Sequence, residues 1–206
     1  MRAALIIAAL TAASGCVLQG ATPPAAAAGG AAPAPAPARA SAQAPLEAPA
    51  AALPPPDAVA MLRAGDGAPR GSVSLWRAPA GLLLRVEASG LPPGWHGFHI
   101  HAVGRCEDAS FQSAGPHAGH GGGAHGLLNV AGPENGDLVN LFADASGRVR
   151  AEVFTGLVSL DGQNARPAIM DGDGAAFVIH ASADDHTSQP IGGAGPRIAC
   201  GVVTKG

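Results

Sequence analysis

The pattern of apolar and polar positions changes character once, near residue 57. Before it, residues 17–56 are alanine and proline with scattered glycine, ending in Leu53-Pro54-Pro55-Pro56. No hydrophobic period is sustained there, so the pattern predicts an Ala/Pro-rich, disordered linker. From Asp57 onward apolar residues recur with a period near two. Val59-Ala60-Met61-Leu62 opens a strand, Ser72-Val73-Ser74-Leu75-Trp76 alternates, and Leu82 to Ala88 forms another run closed by Gly90-Leu91-Pro92-Pro93-Gly94. Strand texture returns at Val139 to Phe142, Val149 to Phe154 and Ala175 to His180. Spaced strands with turn signals and no helical period predict an all-β antiparallel sandwich or barrel over residues 57–206. Between them, residues 104–137 hold almost nothing with a strand period and are dense in Gly, Pro, Asn and His. A loop of that length inside a compact domain is normally functional or disordered.

Composition sharpens this picture in two places. The chain has 206 residues with 30 glycines and 19 prolines, only 3% aromatic residues and no tyrosine, so a large hydrophobic core is not expected and a turn-rich β domain is. The formal net charge of -3 carries no basic block, which argues against nucleic acid as a partner. Eight histidines are the anomaly. Two of them lie in Gly94-Trp95-His96-Gly97-Phe98-His99-Ile100-His101, where a strand would project His99 and His101 to one face and Phe98 and Ile100 to the other, towards a core. A His-x-His pair alone says little. Downstream, however, stand His117, His125, Asp137 and His180, with Arg197 just before Cys200.

The first residues read as an export signal over 1–15: Arg2 as a minimal positive end, Ala3 to Leu10 as an apolar run too short to span a bilayer, then small residues. Ala13-Ser14-Gly15-Cys16 resembles the bacterial lipoprotein box, with alanine three positions before the cysteine where leucine is usual. Lipidation of Cys16 would tether the chain to a membrane; ordinary secretory cleavage near the same residues is the alternative. With Cys16 spent on lipid, two of the three cysteines, Cys106 and Cys200, remain available to pair in an oxidising compartment. The expected location is the cell envelope, periplasmic and lipid-anchored.

The motifs together are specific. Gly97-Phe98-His99-Ile100-His101, Ser113-Ala114-Gly115-Pro116-His117, His125-Gly126-Leu127-Leu128-Asn129, Gly136-Asp137-Leu138, Phe177-Val178-Ile179-His180 and Gly195-Pro196-Arg197-Ile198-Ala199-Cys200-Gly201 resemble the corresponding segments of the copper/zinc superoxide dismutases. The resemblance implies an eight-stranded Greek-key β-barrel with long metal-binding loops. It implies copper held by His99, His101, His117 and His180, and zinc held by the shared His117 with His125 and Asp137. It also implies Asp184 and His96 as supports, Arg197 beside the copper, and a disulfide from Cys106 to Cys200.

The departure is at the third zinc histidine, whose position is taken by Glu134. Glutamate is a legitimate zinc ligand, so the expectation is a site that survives with two carboxylates, binds zinc less tightly and is less selective for it. His120 and His186 match no family role and are read as surface residues, with His120 the one whose Gly-rich loop would let it stand in for the missing histidine. The implied activity is dismutation of superoxide to dioxygen and hydrogen peroxide, with Arg197 and His117 as the catalytic side chains. The alternatives are a copper-only dismutase that has lost its zinc site, and a non-enzymatic exported copper buffer on the same barrel.

Overall fold

The computed structural model describes residues 52–206. The export signal, Cys16 and the linker up to residue 51 lie outside the described residues. Nine strands follow in order: β1 (Ala58–Arg63), β2 (Pro69–Ala78), β3 (Gly81–Ala88), β4 (Gly94–His96), β5 (Phe98–His101), β6 (Leu141–Ala143), β7 (Val149–Thr155), β8 (Ala176–His180) and β9 (Arg197–Lys205). Two short 3-10 turns, Gln112–Ala114 and Gln163–Ala165, are the only helical elements among the described residues.

All pairings between these strands are antiparallel. Seven strands form one curled sheet in the order β5-β8-β9-β1-β2-β3-β7, and β4 pairs with β6. The run 94–101 is therefore one strand of the eight-stranded barrel broken at Gly97: its first half joins β6 and its second half joins β8. The break lets one run of chain pair with two different strands. Strand texture in the sequence covers every strand except β9, with β4 and β5 read as one run; the Arg197-Ile198-Ala199-Cys200-Gly201 start of β9 mixes apolar residues on both faces.

The alternation of β5 and β8 decides what lies inside. Phe98 and Ile100 pair with Ile179 and Phe177, all four point into the barrel, and the Phe98 and Phe177 rings stack with centroids 5.3 Å apart. Small aliphatic residues complete this interior, among them Ala58, Ala60, Val73, Leu75, Leu82, Leu84 and Val86, each 0% exposed. A continuous core thus exists despite the scarcity of aromatics, because alanine and valine from many strands fill a narrow barrel. The even-numbered residues of β8 face outward. Ala176 and Val178 there pack with Cys106, Phe111, Ala114 and Cys200 in a second apolar cluster that seats residues 104–115 against the barrel wall. The Cys106–Cys200 disulfide, with Cα atoms 5.9 Å apart, ties that segment to β9.

Candidate metal centre

Since His99 and His101 share the outward face of β5 with His180 at the end of β8, three imidazoles meet on the outer wall of the barrel. The fourth arrives from the long loop. After His101 the chain loops out and returns as an added edge on β5: Ala102 N–H donates to Pro116 O, Ala118 N–H to Ile100 O, Ile100 N–H to Gly136 O and Gly136 N–H to Ala118 O. His117 and Asp137 are thereby bridged to His101 and His99. The segment that lacks a strand period is thus ordered by hydrogen bonds to β5, and it seals the histidines from water: His99, His101, His117, His125 and His180 are all at most 2% exposed.

One ligand atom from each of His99, His101, His117 and His180 lies within 4.8 Å of the others, and the same holds for His117, His125, Glu134 and Asp137. His117 belongs to both groups. In the first group each ring has one nitrogen occupied. His99 Nε2 meets Asp184 Oδ2 at 3.0 Å, while His101 Nδ1 and His180 Nδ1 meet the carbonyls of Gly115 and Gly195 at 2.8 Å. A carbonyl only accepts, so it fixes the tautomer with N–H towards it and a lone pair on the other nitrogen. Those other atoms, His99 Nδ1, His101 Nε2, His117 Nε2 and His180 Nε2, are buried with no hydrogen-bond partner. Buried polar atoms without partners are costly, and four lone pairs converging on one point fit a cation that prefers nitrogen donors.

Burial also keeps three of these rings uncharged. Desolvation, aided by neighbouring imidazoles and by the Arg197 guanidinium near His101 and His180, pushes His99 down to about 4, His180 down to about 3 and His101 well below the ordinary histidine value.

The second group is built on carboxylates. His117 Nδ1 lies 3.2 Å from Asp137 Oδ1 and 3.0 Å from Glu134 Oε2, and His125 Nδ1 lies 2.7 Å from Asp137 Oδ1 and 4.0 Å from Glu134 Oε2. These spacings bracket the edge of about 3.4 Å that a tetrahedron has when its donors sit about 2.1 Å from the centre, the zinc distance. Glu134 is 2% exposed, and its Oε2 too has no hydrogen-bond partner. Burial opposes a charge on His125, but Asp137 and Asp184, one on each ring nitrogen, outweigh it and raise the imidazole to about 10. In the metal-free fold a proton on His125 thus balances the carboxylates where a cation would do so.

Asp184 joins the two groups, with Oδ2 on His99 and Oδ1 on His125 Nε2 at 3.1 Å. Its position is fixed by parts the sequence did not single out. Asn140 grips its backbone from both sides, accepting from Asp184 N–H at 2.9 Å and donating to Asp184 O at 2.8 Å. A Cβ on Gly192, which sits at φ +59°, would come 1.6 Å from Asp184 Oδ1. Gln189 likewise brackets the backbone of His125. None of these could be read from spacing, since each depends on two loops meeting.

His96 lies between the carbonyls of Pro92 and His180, both 2.8 Å from a ring nitrogen, and so pins β4 to the end of β8. Arg197, half-buried, donates from Nη1 to Phe111 O and from Nη2 to Gly115 O. The turn presenting those carbonyls is held by Asp108, whose carboxylate accepts the backbone N–H groups of Ser110, Gln112 and Ser113. His120 is exposed, as expected, yet its Nδ1 contacts Glu134 Oε1 at 2.6 Å; it stands behind Glu134 and outside the ligand group. His186 is not a free surface residue: it is half-buried, its backbone N–H donates to Asp184 Oδ1, and its ring lies beside Asp184 and Asn140.

Comparison with known proteins accords with this geometry. The sequence profile of the copper/zinc superoxide dismutases (SODC) matches residues 70–203. A Cu-Zn superoxide dismutase of Caulobacter vibrioides is 50% identical over 147 residues, covering 71% of this chain and 84% of that protein. Among solved structures, Cu/Zn superoxide dismutase from Brucella abortus is 30% identical with a TM-score of 0.57, covering 70% of this chain and 97% of that one. A SOD-like protein from Bacillus subtilis is 35% identical with a TM-score of 0.65, covering 70% and 96%. A buried four-imidazole cluster sharing one ring with a carboxylate cluster, on a barrel of this topology, places the chain in the copper/zinc superoxide dismutase family.

Proposed function

We propose that this protein is a superoxide dismutase of the cell envelope, with copper held by His99, His101, His117 and His180 and zinc held by His117, His125, Glu134 and Asp137. The observation that carries the copper assignment is the set of four buried ring nitrogens without partners, each on a ring whose other nitrogen is already engaged. Copper, when bound there, supplies a one-electron couple that oxidises one superoxide to dioxygen and reduces a second.

The side chains supply the rest. Arg197 sets a positive charge beside His101 and His180, whose rings burial holds neutral. It draws in the anion and binds it by charge-assisted hydrogen bonds, its own orientation fixed by Phe111 O and Gly115 O. His117 is placed between the two clusters, so its Nε2 is the atom at which a proton is held and handed on. Hydrogen peroxide needs two protons, of which His117 delivers one and water the other. Asp184 sets the orientation of His99 and His125 together, which links the geometry of one cluster to that of the other.

A copper buffer needs the imidazoles but has no use for a guanidinium held by two carbonyls, and this favours the enzyme. The export signal and the tether through Cys16 support an envelope location, with superoxide as the substrate met there. The test is superoxide consumption by metal-stripped protein reloaded with copper, with and without zinc. Rapid consumption that scales with copper occupancy is expected. No consumption at full copper occupancy would reduce the protein to a binding module.

A further inference from the structure

We propose that His120 is the positioning residue for a metal ligand: it fixes Glu134 so that one oxygen alone faces the second cluster, giving a cation site of two imidazoles and two single-oxygen carboxylates. The inference rests on the reading of that cluster as a metal site and concerns how the site is built. The two carboxylates are arranged alike. Asp137 turns Oδ1 to His117 and His125, while its Oδ2 accepts the backbone N–H groups of Gly126 at 2.7 Å and Glu134 at 2.9 Å. Glu134 turns Oε2 to the same two histidines, and its Oε1 is taken by His120 Nδ1 at 2.6 Å. Backbone amides hold the outer oxygen of Asp137; a side chain holds that of Glu134.

That side chain reaches in from the surface. The His120 side chain is 56% exposed and Glu134 only 2%, so the imidazole closes the carboxylate off from solvent with one nitrogen while the rest of the ring stays wet. Its backbone is set by the turn of Gly119 and Gly121, at φ +76° and +85°, and by donation of its N–H to His117 O at 3.1 Å. Without His120, Glu134 has two unheld oxygens and a free terminal torsion. It can then present both oxygens or swing away, and the four donors no longer converge. Two anionic ligands also harden the donor set, which narrows the preference for zinc over oxygen-seeking ions such as Mn(II).

The test is a mutant cycle on the full-length protein, reading zinc affinity by competition with a chromophoric chelator and the visible spectrum of the Co(II)-substituted site. His120→Ala is expected to weaken zinc roughly ten- to hundredfold, the usual effect of removing an outer partner of a ligand, and to change the Co(II) spectrum. His120→Asn, whose amide N–H can still donate, is expected to recover part of the loss. On a Glu134→His background, where the ligand has no outer oxygen to hold, His120→Ala is expected to change zinc affinity less than threefold. Glu134→His alone should raise the zinc-to-manganese affinity ratio. Equal losses in the two backgrounds would assign His120 a general loop role and overturn the proposal, as would no loss in the native background. A native protein that binds copper and consumes superoxide but takes no zinc would also overturn it while leaving the proposed activity standing. Failure of copper to bind would instead sink the activity, and the zinc cycle would still decide the role of His120.

Discussion

The chemistry rests on single atoms whose alternatives are blocked. Arg197 is a clear instance, since its two donors to backbone carbonyls fix the guanidinium before any anion arrives. Arg197→Ala should lower the rate by roughly ten- to hundredfold, the equivalent of a charge-assisted hydrogen bond of about 1.5 to 3 kcal/mol, and flatten its dependence on ionic strength. Stopped-flow superoxide decay at low and high salt would check this, and an unchanged salt slope would remove Arg197 from substrate capture. Asp184 is the second instance. Because its two oxygens reach His99 and His125 separately, Asp184→Ala should weaken both metals together, each by roughly ten- to hundredfold, measured as metal retained against a chelator. Loss of one metal alone would contradict the shared support. The clustered histidines and carboxylates could be named from the sequence through the likeness of their segments to the family's motifs, with alternation alone placing His99 and His101 on one face. Asn140, Gly192 and Gln189 could not, because a glycine that merely leaves room and an amide that grips a distant backbone have no one-dimensional signature.

Among the elements, the barrel supplies one wall and the loop supplies the other. β5 could be read as a strand that turns histidine outward and phenylalanine inward, and the structure keeps that alternation and shows the same one in β8, which was legible only as strand texture. The break at Gly97 and the strand β9 were less legible: the first is a change of partner strand, and the second follows a site segment whose side chains serve the centre as well as the core. The loop 104–137 looked like coil because its order comes from hydrogen bonds to β5 across many residues and from packing under the disulfide. Opening that disulfide releases a segment of 94 residues' separation, which on the chain-entropy account costs about 4 to 5 kcal/mol. Cys106→Ser should therefore lower the unfolding free energy by that amount, read from the drop in denaturant midpoint, and loosen Arg197, whose carbonyl partners lie in the released turn. An unfolding free energy within about 1 kcal/mol of native would mean that the apolar cluster of Phe111, Ala114 and Val178 holds the loop by itself.

Taken as one molecule, the metal-free protein carries opposed demands on its protons. His99, His101 and His180 are held neutral by burial, with values depressed to about 4 for His99 and about 3 for His180, so the unfolded chain binds protons that the fold refuses. The stability they give is present above the ordinary histidine value of about 6.5 and is lost as the pH falls from there towards 3. His125, raised to about 10 by Asp137 and Asp184 against the pull of burial, works the other way: its contribution is present below about 6.5 and is lost as the pH rises through 10. Metal-free protein should therefore unfold most reluctantly near pH 6 to 7 and less so at pH 4 and at pH 9.5, while zinc, by replacing the proton on His125, should remove the alkaline loss. Thermal unfolding at those three values would show it, and stability rising steadily to pH 9.5 without zinc would contradict the arrangement. The proposed activity depends on His99, His101, His117 and His180 gathering on one redox-active ion. X-ray absorption at the copper edge, on protein given one equivalent of Cu(II), tests it most directly. The account predicts a single site with four nitrogen neighbours, reduced to three in a His101→Ala variant; copper spread over several sites or coordinated mainly by oxygen would contradict it.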